Sequence, residues 1–95
     1  MALFILSCRD KPGALAVRMA ARSAHLAYVA ETGSVRLGGP YLNATGEPIG
    51  SMLVVEADDL AGAEAFAAAD PYAQAGLFAE VTITPWRVTV GGFAG

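Results

Sequence analysis

The residues best suited to proton chemistry lie in the stretch RMAARSAHLAYVAETG, residues 18–33, which contains the only histidine of the chain, His25. Arg18 and Arg22 precede it by seven and three residues. On a helical wheel of 100° per residue these three side chains fall within about 60°, so they share one side of a helix. A nearby guanidinium disfavours protonation of an imidazole, and a neutral imidazole can accept a proton. The spacing is therefore compatible with a general base at His25.

The same pattern also has a purely structural interpretation. A histidine at the border of an apolar stripe often hydrogen-bonds a backbone carbonyl, and arginines lay their aliphatic stems over such a border. The spacing alone leaves both interpretations open. A metal site is disfavoured, because His25 and the single cysteine, Cys8, form no ligand pair at a recognised spacing. We expect no metal and no cofactor.

Asp70 also admits two roles. It is followed by Pro71, and Gly76 ends the segment DPYAQAG, which is typical of a short helical turn with Asp70 as N-cap. A carboxylate at that position can also accept the N–H of an imidazole, fix its tautomer and stabilise the imidazolium. The two roles are compatible with each other.

Two further segments contain residues that suit a ligand. Gly38, Gly39 and Pro40 either form a bulge and bend or bring backbone N–H groups close to a small anion. Ser51 is either a hydroxyl that faces a ligand or a small residue that a strand tolerates. The residues around it do not resemble a nucleophile elbow.

The composition restricts the class of protein. Ninety-five residues are enough for one domain with one core, and we treat residues 1–95 as a single domain. The net charge is -3 and the arginines form no run, which argues against nucleic acid as a partner. The content of 55% apolar residues is more than the interior of a small monomer absorbs, so some apolar surface is expected to meet another subunit.

The segment MALFILSC lacks the basic residues of a secretion signal, and RDKPG interrupts its apolar run. No run approaches the ~20 apolar residues that span a bilayer. The single cysteine does not indicate an oxidising compartment. We therefore expect a soluble cytoplasmic protein without a membrane partner.

The elements that position these residues can be predicted from periodicity. The short apolar run 2–8 predicts a central strand, and residues 14–31 predict a helix that ends at Gly33. Its apolar stripe comprises Leu15, Met19, Leu26 and Val29. The glycine-containing stretch SVRLGGPYL is typical of an edge strand, and IGSMLVVEA of a strand buried on both faces.

The second half of the chain continues with a helix over residues 60–69, N-capped by Asp58 or Asp59. A last strand spans residues 77–90, and Pro85 places it at an edge. The resulting order, βαββαβ, predicts a ferredoxin-like α+β fold with a four-stranded antiparallel sheet and two helices on one face. The other face has no cover within the chain, which favours a homodimer through the sheet, with edge pairing as the alternative.

The motifs RSAH, LGGPYL, GSMLVVEA, ADPYAQAGLF and VTITPWRV, in this order, make the chain resemble the YCII-related family of small dimeric proteins. The resemblance covers nearly the whole chain. It implies a dimeric α+β barrel whose pocket contains a His–Asp pair, which corresponds to His25 and Asp70 here. One relative is described as a dehydrochlorinase, so the resemblance implies acid–base chemistry without defining a substrate.

We therefore expect a cofactor-independent lyase or dehydrochlorinase-like enzyme for a small anionic or phenolic molecule. His25 would move a proton and Asp70 would orient it. The residues expected to bind the substrate are Arg22, Arg18, Gly39, Pro40 and Ser51. The alternatives are a non-catalytic domain that binds a metabolite or serves a larger complex, and a cofactor-free monooxygenase or isomerase of the dimeric α+β barrel type.

Overall fold

The sheet defines the architecture of the computed structural model, which describes residues 2–92. Four antiparallel strands lie in the order β2-β3-β1-β4, so that β2 and β4 are the edges. The elements in chain order are β1 (Ala2–Asp10), α1 (Leu15–Thr32), β2 (Val35–Leu42), β3 (Pro48–Ala57), α2 (Leu60–Ala69), α3 (Pro71–Gln74) and β4 (Phe78–Trp86). This confirms the predicted ferredoxin-like arrangement, and the short helical turn predicted after Asp70 is helix α3.

Strands β1 and β3 form the centre of the sheet. Leu6 pairs with Leu53 and Phe4 with Val55, and all four side chains are buried on the face that carries the helices. Successive side chains of a strand point to opposite faces, so the short apolar runs of β1 and β3 also supply apolar groups to the other face. The core cluster comprises Phe4, Leu6, Cys8, Leu53, Val55, Ala63 and Phe66.

Local capping determines where the shorter helices begin. The Asp59 side chain accepts a hydrogen bond from the Gly62 N–H at 2.8 Å, which settles the choice between the two candidate N-caps of α2. Asp70 caps α3 in the same way, accepting from the Tyr72 N–H at 2.8 Å, with Pro71 at the first helical position. The chain therefore ends one helix and begins the next at Asp70.

Helix α1 ends where the sequence predicts, but it presents an unexpected face to the interior. Gly33 adopts the left-handed conformation (φ 64°) that ends the helix. The buried residues of α1 are Arg18 and His25, whereas Met19 and Leu26 of the apolar stripe are 57% and 47% exposed. Three residues of the stripe, Met19, Leu26 and Val29, line a cavity between α1 and the sheet and are not part of the core cluster.

The last predicted strand is too long. Strand β4 begins at Phe78 and ends at Trp86, directly after Pro85, which lacks the N–H that continued pairing requires. Beyond it, Val88 and Val90 line a second cavity together with Leu3 of the open sheet face. Among the helices described for residues 2–92, none combines the length and the apolar character that crossing a bilayer requires.

Candidate active site

A cavity of about 490 Å³ lies between α1 and strands β2 and β3, and Tyr72 of α3 is among its lining residues. Six of the seven site residues expected from the sequence line this cavity. The seventh, Asp70, is hydrogen-bonded to one of the six. The lining residues from this set are Arg18, Arg22, His25, Gly39, Pro40 and Ser51.

The fold brings His25 and Asp70 together across 45 residues of sequence. The His25 Nδ1 atom lies 2.8 Å and 3.0 Å from the two carboxylate oxygens of Asp70, and both side chains are buried. Asp70 Oδ1 also accepts from the Tyr72 N–H. An ionised carboxylate only accepts hydrogen bonds, so Nδ1 carries the proton that it donates to Asp70.

This tautomer leaves Nε2 as the basic atom of the imidazole. Within residues 2–92, every side-chain nitrogen or oxygen atom that is fully buried has a hydrogen-bond partner. Nε2 of His25 has no such partner in that range, so it is not fully buried. Nε2 is therefore an accessible atom, and the solvent space beside His25 is the cavity. In the neutral imidazole it is a hydrogen-bond acceptor on the cavity wall.

Tyr72 is a cavity residue that the sequence analysis missed. Its ring is stacked on the His25 imidazole, with 4.0 Å between centroids and 14° between planes. The Tyr72 side chain is buried, and this burial raises the pKa of Tyr72, although Arg18 and Arg22 oppose the shift. The only local signal was the position of Tyr72 two residues after Asp70 in a helical turn. Periodicity cannot assign a function to that position.

Arg18 is held in place by a carboxylate that the sequence did not reveal. Its Nε and Nη2 atoms donate to Asp10 at 2.8 and 3.1 Å, and Nη2 also donates to Ser51 Oγ at 2.8 Å. Burial disfavours the charge of Arg18, but the hydrogen bonds and negative charge of Asp10 outweigh this effect and raise the pKa of Arg18. Asp10 thus neutralises one of the two arginines expected beside His25.

Arg22 contributes a positive charge without such a partner. It is exposed, lines the cavity, and makes no ion pair or hydrogen bond within residues 2–92. Arg36, a lining residue that the sequence analysis also missed, is paired with Glu56. Because no acidic side chain described here lines the cavity, its electrostatic character favours an anionic or polar oxygen group near Arg22.

The glycines of β2 have different surroundings. A Cβ atom on Gly38 would clash with Leu53 Cδ2, whereas a Cβ atom on Gly39 would have no neighbour within 4 Å. The irregular register of β2 lies on either side of this segment, at Val35/Leu37 and at Tyr41/Leu42, so the bend is not at the glycines. Gly38 permits close packing against Leu53, whereas Gly39 pairs with Met52, whose side chain lies on the sheet face opposite Leu53.

Buried polar side chains are concentrated at this one place. Within residues 2–92 the buried polar or charged residues are Arg18, His25, Ser51 and Asp70, and each of them belongs to the network described above. Burial of polar groups is costly unless they are hydrogen-bonded, and stability alone gives no reason to collect them at a cavity. The neighbouring thiol of Cys8 is not part of this chemistry, because burial and the charges of Asp70 and Asp10 raise its pKa to about 12.

Comparison with known proteins places this geometry in a family. The YCII-related domain model matches residues 2–87. Protein YciI of Escherichia coli O6:H1 is 32% identical over 94 residues, covering 90% of this chain and 96% of the relative. The solved structure of 5-chloro-2-hydroxyhydroquinone dehydrochlorinase (TftG) from Burkholderia phenoliruptrix AC1100, in complex with 2,5-dihydroxybenzoquinone, matches with a TM-score of 0.84 at 37% sequence identity. That match covers 90% of this chain and 93% of TftG.

A more distant structure shares the fold alone. An antibiotic biosynthesis monooxygenase superposes with a TM-score of 0.59 over 95% of this chain, at 10% identity. The identity is too low to extend its activity to this chain, because one scaffold supports many chemistries. The family model also matches most of the chain, and YciI does so at 32% identity. The protein therefore belongs to the YCII-related domain family.

Proposed function

We propose that this protein is a cofactor-independent enzyme that uses His25 as a general base, oriented by Asp70, on a small anionic or phenolic molecule. One observation carries the proposal: a buried imidazole on the cavity wall is hydrogen-bonded through Nδ1 to a carboxylate at 2.8 Å, which leaves Nε2 accessible. The likeness to the dehydrochlorinase TftG, at 37% identity, supports the reaction class.

The residues of the cavity suit an elimination reaction. His25 Nε2 takes a proton from a hydroxyl group of the substrate and returns it to the ring carbon that carries the leaving group. Loss of a second hydroxyl proton to Nε2 then expels the leaving group as an anion with the electrons of its bond. In total the substrate loses HX, and no oxidant or reductant is consumed. Asp70 stabilises the imidazolium that forms in each transfer.

The lining of the cavity mixes polar and apolar groups. Arg22 and the Ser51 hydroxyl supply polar contacts for an oxygen anion or hydroxyl group, and Gly39 and Pro40 also line the cavity. The apolar lining comes from Met19, Leu26 and Val29 of α1 and from Leu37 and Leu53 of the sheet. An aromatic ring with oxygen substituents suits a lining of this mixed character.

The experiment measures chloride release from 5-chloro-2-hydroxyhydroquinone by the wild-type protein, His25→Ala and Asp70→Asn. General acid–base catalysis contributes about 10²- to 10⁴-fold, so His25→Ala is expected to lower kcat by that factor. Asp70→Asn keeps an N-cap acceptor for Tyr72 but loses the charge, and its kcat is expected to fall with KM nearly constant. Arg36→Gln is the control at the cavity rim. Wild-type turnover in His25→Ala would exclude the catalytic role, and binding of 2,5-dihydroxybenzoquinone without any wild-type turnover would identify a binding domain.

We also propose that the protein is a cytoplasmic homodimer with neither nucleic acid nor membrane as a partner. The face of the sheet opposite the helices presents apolar residues, among them Leu3, Ile5 and Trp86, and no helix of residues 2–92 covers it. Burial of this face against a second copy would remove it from water. The free, buried thiol of Cys8 is compatible with a reducing compartment.

A further inference from the structure

The environment of Tyr72 is unusual for a residue that only fills the core. Its ring is 3% exposed and is stacked on His25, at 4.0 Å between centroids. Its backbone N–H donates to Asp70 Oδ1, the same atom that lies 2.8 Å from His25 Nδ1. Tyr72 therefore contacts both members of the pair, one through its ring and the other through its main chain.

We infer that Tyr72 is a positioning residue that holds the His25 imidazole in the plane and tautomer that leave Nε2 accessible to the cavity. The inference deepens the proposed function and rests on it insofar as His25 is the base. It concerns a residue that does not itself receive or donate the proton.

The stack and the hydrogen bond restrict different motions of the imidazole. The bond from Nδ1 to Asp70 determines which edge of the ring faces the carboxylate, but one hydrogen bond leaves the ring free to tilt about it. Stacking on Tyr72, with 14° between the two planes, removes that tilt. Together they define the direction in which Nε2 presents its lone pair, and a misplacement of about 1 Å at a reacting atom can cost about 10²-fold in rate.

Tyr72 is itself held from several sides. The guanidinium carbon of Arg18 lies 4.8 Å from the centroid of the Tyr72 ring, and Phe78 makes an edge-on contact at 6.1 Å. Arg18 cannot move away, because Asp10 and Ser51 bind it. Asp10 and Arg18 thereby help to hold Tyr72 against His25. This gives the buried ion pair a positioning role in addition to the substrate-binding role expected of Arg18.

A second tyrosine provides a matched control. Tyr28 lies on α1 three residues after His25, and its ring contacts Phe66 at 5.0 Å with 33° between planes. Its hydroxyl donates to the Phe66 carbonyl at 2.8 Å, and it packs against the core cluster without a ring contact to His25. Tyr28→Leu removes a comparable aromatic side chain near the same helix without disturbing the stack.

The experiment uses the fact that His25 is the only histidine of the chain, so the imidazole nitrogens give one set of signals. Long-range ¹H–¹⁵N spectra in alkaline buffer, where an imidazole is neutral, report the populations of the two tautomers. In Tyr72→Leu the imidazole can tilt, which weakens the Nδ1–H bond to Asp70, so we expect the Nε2–H tautomer to increase about two- to tenfold, the range that corresponds to the loss of one hydrogen bond. Tyr72→Phe and Tyr28→Leu are expected to match the wild-type protein.

An unchanged tautomer population in folded Tyr72→Leu would overturn the inference, and so would an equal change in Tyr28→Leu. If Tyr72→Leu does not fold, Tyr72→Met is measured, because its flexible side chain fills the space without a ring. The spectra require no substrate and therefore separate the two claims. If Tyr72→Leu shifts the tautomers but the wild-type protein has no turnover, the proposed function alone is refuted. If Tyr72→Leu is active and its tautomer populations match those of the wild-type protein, the role of Tyr72 alone is refuted.

Discussion

Single residues in this protein derive their meaning from their partners. Arg18 and Arg22 look equivalent in the sequence, but Asp10 binds the first and leaves the second as the exposed positive charge of the cavity. Asp70 was expected to be an N-cap or a partner of His25, and in the structure one oxygen atom contacts both groups. The type of each residue indicated which interactions it could make, and its charged neighbours decided which of these interactions it makes in the folded protein.

The buried ion pair of Arg18 and Asp10 provides a prediction of stability. Arg18→Met leaves the Asp10 carboxylate buried without its cation, so we expect the free energy of unfolding to fall by about 3–5 kcal/mol in urea denaturation. The double variant Arg18→Met/Asp10→Leu should recover most of this loss. Arg36→Gln, which removes an exposed ion pair, should cost less than about 1 kcal/mol. Equal losses of unfolding free energy in Arg18→Met and Arg36→Gln would contradict the expectation that the buried ion pair contributes more to stability than the exposed one.

Cys8 provides a prediction of reactivity. Burial raises the pKa of its thiol from 9.0 to about 12, and the charges of Asp70 and Asp10 act in the same direction. Only the thiolate is nucleophilic, and the higher pKa lowers the fraction of Cys8 in the thiolate form about 10³-fold at pH 8. We expect Cys8 to react with a thiol reagent such as DTNB slowly in the folded protein and rapidly in guanidinium chloride. Fast reaction of the folded protein would show that the thiol is accessible.

At the level of elements, residues close together in the sequence determine where a helix ends, whereas tertiary contacts determine which face of the helix is buried. Gly33 and Asp59 cap their helices as the sequence indicates, because a cap involves only residues within one turn. The inward face of α1 could not be predicted in the same way. A helical wheel ranks faces by hydrophobicity, but Arg18 and His25 are buried because their partners come from β1 and from the residue before α3.

The N-cap of α2 gives an element-scale prediction with its own control. Asp59→Ala removes the acceptor of the Gly62 N–H and should lower the free energy of unfolding by about 1 kcal/mol. Asp58→Ala changes the neighbouring exposed carboxylate, which makes no such contact, and should have little effect. Chemical denaturation followed by circular dichroism compares the two. A larger loss for Asp58→Ala would show that Asp58 is the cap in solution.

At the scale of the whole molecule, the unequal cover of the two sheet faces is the main feature. The helices lie on one face, and the residues after β4 approach only a part of the other. Trp86 is 42% exposed there and borders the same cavity as Leu3 and Val90. A chain with 55% apolar residues has few polar groups with which to cover this face, which supports the proposed homodimer.

The dimer is tested by a charge on the open face. Trp86→Glu would bury an unpaired carboxylate at the interface and is expected to shift the protein toward the monomer in sedimentation velocity experiments. Leu60→Glu introduces the same charge at a residue of α2 that is 45% exposed and lies in the helical layer, so the dimer should persist. A monomeric wild-type protein at micromolar concentration would refute the proposal.

The sequence by itself determined the order and type of the elements, the caps at Gly33 and Asp59, and the edge positions of β2 and β4. These features depend on periodicity and on residues close together in the chain, which are local properties. Only the tertiary structure decided that α1 buries Arg18 and His25, that Asp10 binds Arg18, and that Tyr72 stacks on His25. These contacts join distant segments, and no local pattern encodes which of several compatible partners a side chain meets once the sheet has formed.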